Sequence, residues 1–169
     1  MIKRCLFCLL SGLALQVNGQ IQVANLVGKN SADYKTGYGG FLKCEYPVSE
    51  ASAVSLEVGA LIFSSKEDSR YGWIVVPVKA GFRYTFDQTG SGFYVEPQLG
   101  YNVYGLDPVE NKFKGFIAGA GTGYLFPSVA GSVQFDLGLR YESVLYKGNT
   151  LNYLSLRLTH NFSLRRREE

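Results

Sequence analysis

Few side chains in this sequence have the type and spacing to do chemistry, and most of those are charged. In GFYVEPQLGYNVYG, residues 92–105, Glu96, Gln98 and Asn102 alternate with Val95, Leu99, Tyr101 and Val103. A carboxylate and two amides on one parity could take a proton, hold a cation or meet a basic group. The same pattern recurs elsewhere, with Lys43 and Glu45, Glu57, Lys79 and Arg83, Asp136, Arg140 and Glu142, and Arg157 each set opposite apolar neighbours. His160 is the only histidine, and it falls on the apolar parity of its segment, apart from these charges. A base so placed has no Ser or Asp arranged with it as a triad, and no His/Cys cluster has metal-ligand spacing. GAGTG, residues 119–123, lacks the G-x-G-x-x-G spacing of a nucleotide loop and does not stand at a strand-to-helix turn, so its glycines read as room made inside a narrow structure. The sequence therefore predicts no catalytic residues, no metal and no cofactor.

A period of two is the side-chain period of a β-strand, so strands must position these charges. Composition agrees, since 12 Tyr, 11 Phe and 20 Gly with one Met suit strands and not helices. Seven clear strands and one weaker one follow in order. The weak strand covers residues 20–28, and the next, 35–46, sets Tyr38, Leu42, Cys44 and Tyr46 against Lys43 and Glu45. Residues 53–63 set Val54, Leu56, Val58, Ala60 and Ile62 against Glu57, and residues 73–86 set Ile74, Val76, Val78, Ala80, Phe82, Tyr84 and Phe86 against Lys79 and Arg83. After residues 92–105 comes 113–126, where glycine alternates with larger residues. Residues 132–145 set Val133, Phe135, Leu137, Leu139 and Tyr141 against Gln134, Asp136, Arg140 and Glu142. Residues 151–164 close the set, with Leu154, Leu156, Leu158 and Phe162 against Ser155, Arg157, Thr159 and Asn161.

At the N-terminus, Lys3 and Arg4 precede the apolar run CLFCLLSGLAL, and Val17 and Gly19 stand at −3 and −1 of a cut before Gln20. Residues 1–19 thus read as a cleaved secretory signal peptide, the run being too short to span a bilayer. Losing Lys3 and Arg4 takes the 17 basic residues to 15 against 14 acidic ones, a net charge of +1 that gives nucleic acid no basic face. Of the three cysteines only Cys44 remains, so no internal disulfide forms and stability must come from elsewhere. A closed barrel or a membrane supplies it.

Strands of about ten residues joined by alternating short and long links are what a small transmembrane barrel needs. PVSEAS, DQTGSG and PSVAG are short, whereas GKNSAD, SSKEDSRYG and YGLDPVENK are longer or more charged; KGNT is a short exception. The expected fold is all-β, a single eight-stranded antiparallel up-and-down transmembrane barrel over residues 20–164, with a short charged periplasmic tail at 165–169. Aromatics support lipid outside the barrel: Tyr46, Tyr84, Phe86, Phe93, Tyr124, Phe126 and Phe162 fall near the periplasmic strand ends, and Tyr38, Tyr101, Tyr141 and Tyr153 towards the outer ends. The inward charges are then Lys43, Lys79, Arg83, Arg140 and Arg157 against Glu45, Glu57, Glu96, Asp136 and Glu142, five of each sign, expected to pair as a structural plug. So charged an interior argues against a soluble lipocalin-like carrier, the alternative fold reading.

The run WIVVPVKAGFRYTF, followed by GFYVEPQLGYNVYG, GFIAGAGTGYLF and FDLGLRYESVL, resembles the PorT-like outer-membrane β-barrel proteins of Gram-negative bacteria. Pro77, Pro97, Gln98, Leu99, Gly100 and Tyr101 are the matching positions, and the likeness covers nearly all of the mature chain. It implies an outer-membrane barrel, and for some relatives a place in protein-secretion or envelope machinery. Such chains often end on an aromatic residue, whereas here SLRRREE follows Phe162.

The expected function is a non-enzymatic outer-membrane anchor or loop-presenting scaffold, whose partners are outer-membrane lipid, the outer-membrane assembly machinery and any outside protein met by the loops at 64–72 and 105–112. Protease added to intact cells should cut within those two loops and leave the short links whole. Cleavage at the short links instead means that the orientation is the reverse.

Overall fold

The computed structural model describes residues 16–28, 31–67, 72–87, 91–107, 111–127 and 133–163. Eight strands follow one another: β1 (Gln16–Val27), β2 (Gly37–Pro47), β3 (Ser52–Ser64), β4 (Gly72–Thr85), β5 (Gly92–Leu106), β6 (Lys112–Leu125), β7 (Val133–Tyr146) and β8 (Asn149–Ser163). Each pairs antiparallel with the next, and β1 pairs with β8, closing the barrel. Closure is what period-two strands of even number reach when neither end of the sheet can be left as an open edge.

Alternation of exposure along each strand follows the alternation of residue type. On β3, Val54, Leu56, Val58 and Ile62 point out of the barrel while Ser55 and Glu57 are buried inside it. On β5, Glu96, Gln98 and Asn102 are buried and Val95, Leu99, Tyr101 and Val103 exposed. The sheet departs from ideal register at Val76/Pro77 and between Asn102 and Gly105. Proline has no N–H for the ladder, and here the Val76 N–H donates instead to Asn102 Oδ1 at 2.8 Å.

Three expectations change. β1 starts at Gln16, not at Gln20, because Gln16, Val17, Asn18 and Gly19 continue both ladders, opposite Glu45 to Leu42 on β2 and Ser163 to His160 on β8. Tyr153, expected among the outward aromatics, is fully buried inside, on the parity of Ser155 and Arg157. The link KGNT is tighter than it reads, since Tyr146 and Asn149 are paired and only Lys147 and Gly148 turn the chain, both with positive φ (44° and 79°). Such a turn matches the twist of the flanking strands. Residues 1–15 of the expected signal peptide, the tail at 165–169, and parts of both long loops (68–71 and 108–110) lie outside the described residues.

Glycine spacing on β6 can be tested. A Cβ at Gly123 would collide with the Tyr94 hydroxyl and the Leu137 carbonyl, whereas one at Gly40 meets nothing within 4 Å. Gly123→Ala should destabilise the barrel by about 1–3 kcal/mol through overpacking, and Gly40→Ala should be neutral. Urea titration followed by the gel-mobility difference between folded and unfolded forms measures both.

Candidate functional site

All ten sequence-predicted charges, Lys43, Glu45, Glu57, Lys79, Arg83, Glu96, Asp136, Arg140, Glu142 and Arg157, are buried in the lumen. They are joined to one another. At one centre Glu96 receives Lys43 Nζ at 2.5 Å, Arg140 Nη2 at 3.2 Å and Arg157 Nη1 at 3.3 Å. At the other, Glu57 receives Lys79 Nζ at 2.7 Å and Arg140 Nη1 at 2.9 Å. Arg140 thus bridges the two carboxylates. Lys43 reaches on to Glu45 (2.9 Å), which also holds Arg83 (2.9 Å); Lys79 reaches on to Glu142 (2.5 Å); and Arg157 reaches Asp136 (3.1 Å). The result is one connected network that runs from Arg83 to Glu142.

Neutral groups complete it. The Tyr94 hydroxyl donates to Asp136 Oδ1 at 2.6 Å and accepts from Arg157 Nη2 at 2.5 Å. Ser55 donates to Glu96 (2.9 Å) and Asn18 to Glu45 (2.8 Å), while Gln22 donates to Ser155. The side chains of Gln20 and Thr159 are also buried, with no partner among the described residues for Gln20 Nε2 and Oε1 or Thr159 Oγ1. Sequence reasoning passed over Tyr94, although it shares the parity of Glu96 and Gln98. It also passed over Asn18, because that residue was assigned to the leader.

Glycine makes the space. A Cβ at Gly119 would stand 2.8 Å from Glu142 Cγ, and one at Gly121 would stand 3.4 Å from Arg140 Nε. The GAGTG run therefore lines the lumen opposite the bulkiest side chains of the network. His160 packs on Phe135, ring centroids 5.1 Å apart, with its backbone opposite Gly19 and Phe135.

Towards the end of the barrel opposite the terminal end, where β1 starts and β8 finishes, the lumen changes character. Leu26, Leu61, Phe63, Trp73, Val75 and Phe113 belong to a buried apolar cluster, with Ile117, Val144, Leu151 and Tyr153, and Tyr34 and Tyr146 pack against it. Trp73 lies edge-on to Phe113 (5.6 Å), Tyr146 (5.8 Å) and Tyr34 (6.5 Å). The rim there is reinforced where Lys66 N–H donates to the Asp33 carbonyl at 2.9 Å and its Nζ to the Ala32 carbonyl at 2.7 Å. The terminal end, by contrast, holds a shallow polar cup lined by Gln16, Glu45, Arg83, Thr85 and Gln134.

The outer wall is the inverse of the lumen. Ile21, Leu42, Leu56, Leu99, Leu156 and Leu158 are exposed around its waist. Aromatic pairs stand at the terminal end, Tyr84–Phe86 at 5.5 Å and Phe93–Tyr124 at 5.0 Å, and Tyr101–Phe116 (5.4 Å) lies nearer the other. An exposed apolar surface continuous around a barrel is solvated by hydrocarbon, not by water.

Solved structures share this architecture. Neisserial surface protein A aligns with a TM-score of 0.70 at 15% identity, over 89% of this chain and 97% of that one. Ail, the attachment invasion locus protein of Yersinia pestis, aligns with a TM-score of 0.58 at 14% identity, over 88% and 97%. The N-terminal β-barrel domain of Pseudomonas aeruginosa OprF aligns with a TM-score of 0.52 at 14% identity, over 87% and 97%. No protein-family model and no curated protein sequence matches the chain.

The geometry ranks the charges. Arg83 lies at the mouth beside the polar cup, so Arg83→Leu should cost about 1–3 kcal/mol, with water taking over part of its role at Glu45. Arg140 bridges two fully buried carboxylates, and Arg140→Leu should cost about 3–5 kcal/mol. Glu96→Lys, which places a fourth cation among Lys43, Arg140 and Arg157, should be worse than either, and adding Lys43→Glu should restore part of the loss. Urea unfolding of the refolded barrels in detergent gives the order, and equal losses for Arg83→Leu and Arg140→Leu contradict the assignment.

Proposed function

We propose that the chain is a non-enzymatic integral protein of the Gram-negative outer membrane, exported by its N-terminal segment, inserted by the outer-membrane assembly machinery, and acting as an anchor that holds its loops outside the cell. The observation that carries this reading is the pairing of an apolar, aromatic-banded outer wall with a lumen occupied by its own ionic network. The start of β1, the end of β8 and the short links then face the periplasm, and the links around Asp33, Lys66 and Asp107 face outward. The lumen acts as a plug: the charges neutralise one another in the middle, and the Trp73 cluster closes the outer end. A lipocalin-like carrier needs an apolar cavity at the position that Glu57, Glu96 and Arg140 occupy.

The PorT-like resemblance offers a second reading, in which the barrel is a component of secretion or envelope machinery. What supports it is the sequence likeness alone, at Pro77, Pro97, Gln98, Leu99, Gly100 and Tyr101. Such a role would use the outward loops or the terminal-end cup to meet a partner.

Two measurements test the favoured reading. Carbonate-washed membranes from expressing cells should retain the protein in the outer-membrane fraction, and recovery in the soluble periplasm ends it. In planar bilayers the purified barrel should give no stable conductance, because a plug made of the ionic network and the aromatic cluster would leave no continuous aqueous path. A large, steady, ion-selective current refutes the plug while leaving the membrane location intact.

A further inference from the structure

The lumen matches its cations with carboxylates, but β6 also carries cations on its other face. Lys112, Lys114 and Phe116 are exposed on one parity of the strand, while Phe113 and Ile117 lie inside. β6 pairs with β7 through Phe116 opposite Leu145, and two residues further in the same register Lys114 stands level with Lys147, which is exposed in the turn to β8. Three ammonium groups therefore gather on one side of the barrel. They lie just beyond the exposed Phe116, its ring neighbour Tyr101 at 5.4 Å, and Leu145.

Among the described residues nothing answers this charge, since none of the three lysines is in an ion pair or a side-chain hydrogen bond there. Asp107, the described carboxylate of the preceding link, is taken up in closing that link: it accepts from the Asn111 N–H at 2.7 Å and from Asn111 Nδ2 at 3.2 Å. Like charges on neighbouring strands repel, so the cluster is favourable only with an anion among them. Its level on the wall says which anion. Two residues of strand rise about 7 Å, which sets Lys114 where an aromatic belt gives way to lipid headgroups. A lysine stem can lie along the apolar wall and carry its ammonium into that layer. The terminal end is the reverse, for its short links PVSEAS, DQTGSG and PSVAG carry Glu50 and Asp87 and no lysine or arginine.

We propose that Lys112, Lys114 and Lys147 form a binding site for the phosphate groups of an anionic outer-leaflet lipid, whose acyl chains lie along Phe116, Tyr101 and Leu145. This rests on the reading of the barrel as an outer-membrane protein with this rim outward. Phosphate suits the site because it offers several strong acceptor oxygens and more than one charge, and each lysine brings a compact charge with donors that can turn to meet them.

The experiment titrates the protein, purified from outer membranes in a neutral detergent, with diphosphoryl lipid A, a glucosamine disaccharide lipid bearing two phosphates, and counts bound lipid by native mass spectrometry. Phosphatidylcholine and inorganic phosphate are the comparisons. Diphosphoryl lipid A should bind more tightly than phosphatidylcholine and lose that advantage as salt is raised. The triple variant Lys112→Gln, Lys114→Gln, Lys147→Gln should bind it about tenfold or more weakly, with phosphatidylcholine unaffected. Its heat-modifiable gel migration should be that of the parent, because no lysine of the three enters the lumen network. Equal binding of the two lipids by the unaltered protein overturns the proposal whether or not the variant folds, and so does unchanged affinity in a folded variant. Displacement of the lipid by inorganic phosphate shows a site for free anions and overturns the lipid assignment. Each of these failures leaves the membrane reading standing, whereas recovery of the protein in the soluble periplasm removes both.

Discussion

A closed barrel of eight strands leaves so little space inside that its own side chains must fill it, and the rest of this molecule follows from how they do so. Among the described residues, ten inward positions carry ions. Burying a lone charge is prohibitive, and burying a pair is tolerable only when its geometry is good and its spare lone pairs and protons are matched. Glu57 and Glu96 meet that condition by sharing Arg140, with Lys79 at the first and Lys43 and Arg157 at the second. Bulky side chains need room beside them, and β6, paired with β7, supplies it as Gly119 next to Glu142 and Gly121 next to Arg140. Remove that room and the salt bridges cannot form. Remove the salt bridges and the lumen cannot be charged.

A strand that crosses lipid gains from a polar inner face even where an apolar core could be packed as densely. If both faces of every strand were apolar, the chain would present long hydrophobic segments, prone to aggregate and easily taken for membrane helices on the way out of the cell. Alternation prevents this, and among the described residues no helix is long and apolar enough to cross a membrane. The lumen is nonetheless graded. Its centre is ionic and its terminal end a polar cup, while the far end is apolar around Trp73 and Phe113. There the inward residues of β3, β4, β6 and β8 turn to Leu61 and Phe63, Trp73 and Val75, Phe113 and Ile117, and Leu151 and Tyr153.

That gradation explains what was legible in the sequence. Charged residues near the middle of a strand settle which parity faces in, because at that depth a charge cannot face hydrocarbon. Glu57, Lys79, Arg83, Glu96 and Arg140 could thus be oriented from the sequence, whereas Lys114, near the end of β6, does face outward. Where a strand is apolar on both faces, as in WIVV of β4, periodicity carries no such mark, and the apolar half of the lumen stayed hidden. Tyr153 was misplaced although it shares the parity of Ser155 and Arg157, an aromatic near a strand end serving equally well inside or out. The pairing of particular charges was beyond reach, since Arg140 meets Glu57 across the lumen and not along the sheet. The start of β1 was concealed differently: a leader and an outward-apolar strand both read as hydrophobic, and only Gln16 and Asn18, in phase with Gln20 and Gln22, mark the change.

The seam between β1 and β8 differs in kind from the rest of the wall. The inward residues of β1 are Asn18, Gln20, Gln22, Ala24 and Leu26, none of them charged, and β8 contributes Arg157 among Ser155, Thr159 and Tyr153. Most of the ionic network therefore belongs to the sheet from β2 to β7, where cations and anions can already find each other. β1 meets that network with amides, Asn18 donating to Glu45 and Gln22 reaching Ser155. A neutral strand in this position closes the barrel without bringing a further charge out of water, and it leaves the balance of five cations against Glu45, Glu57, Glu96, Asp136 and Glu142 undisturbed. Had β1 carried a lysine in place of Gln20 or Gln22, closing the sheet would have required one more desolvated ion with no counter-ion left to receive it.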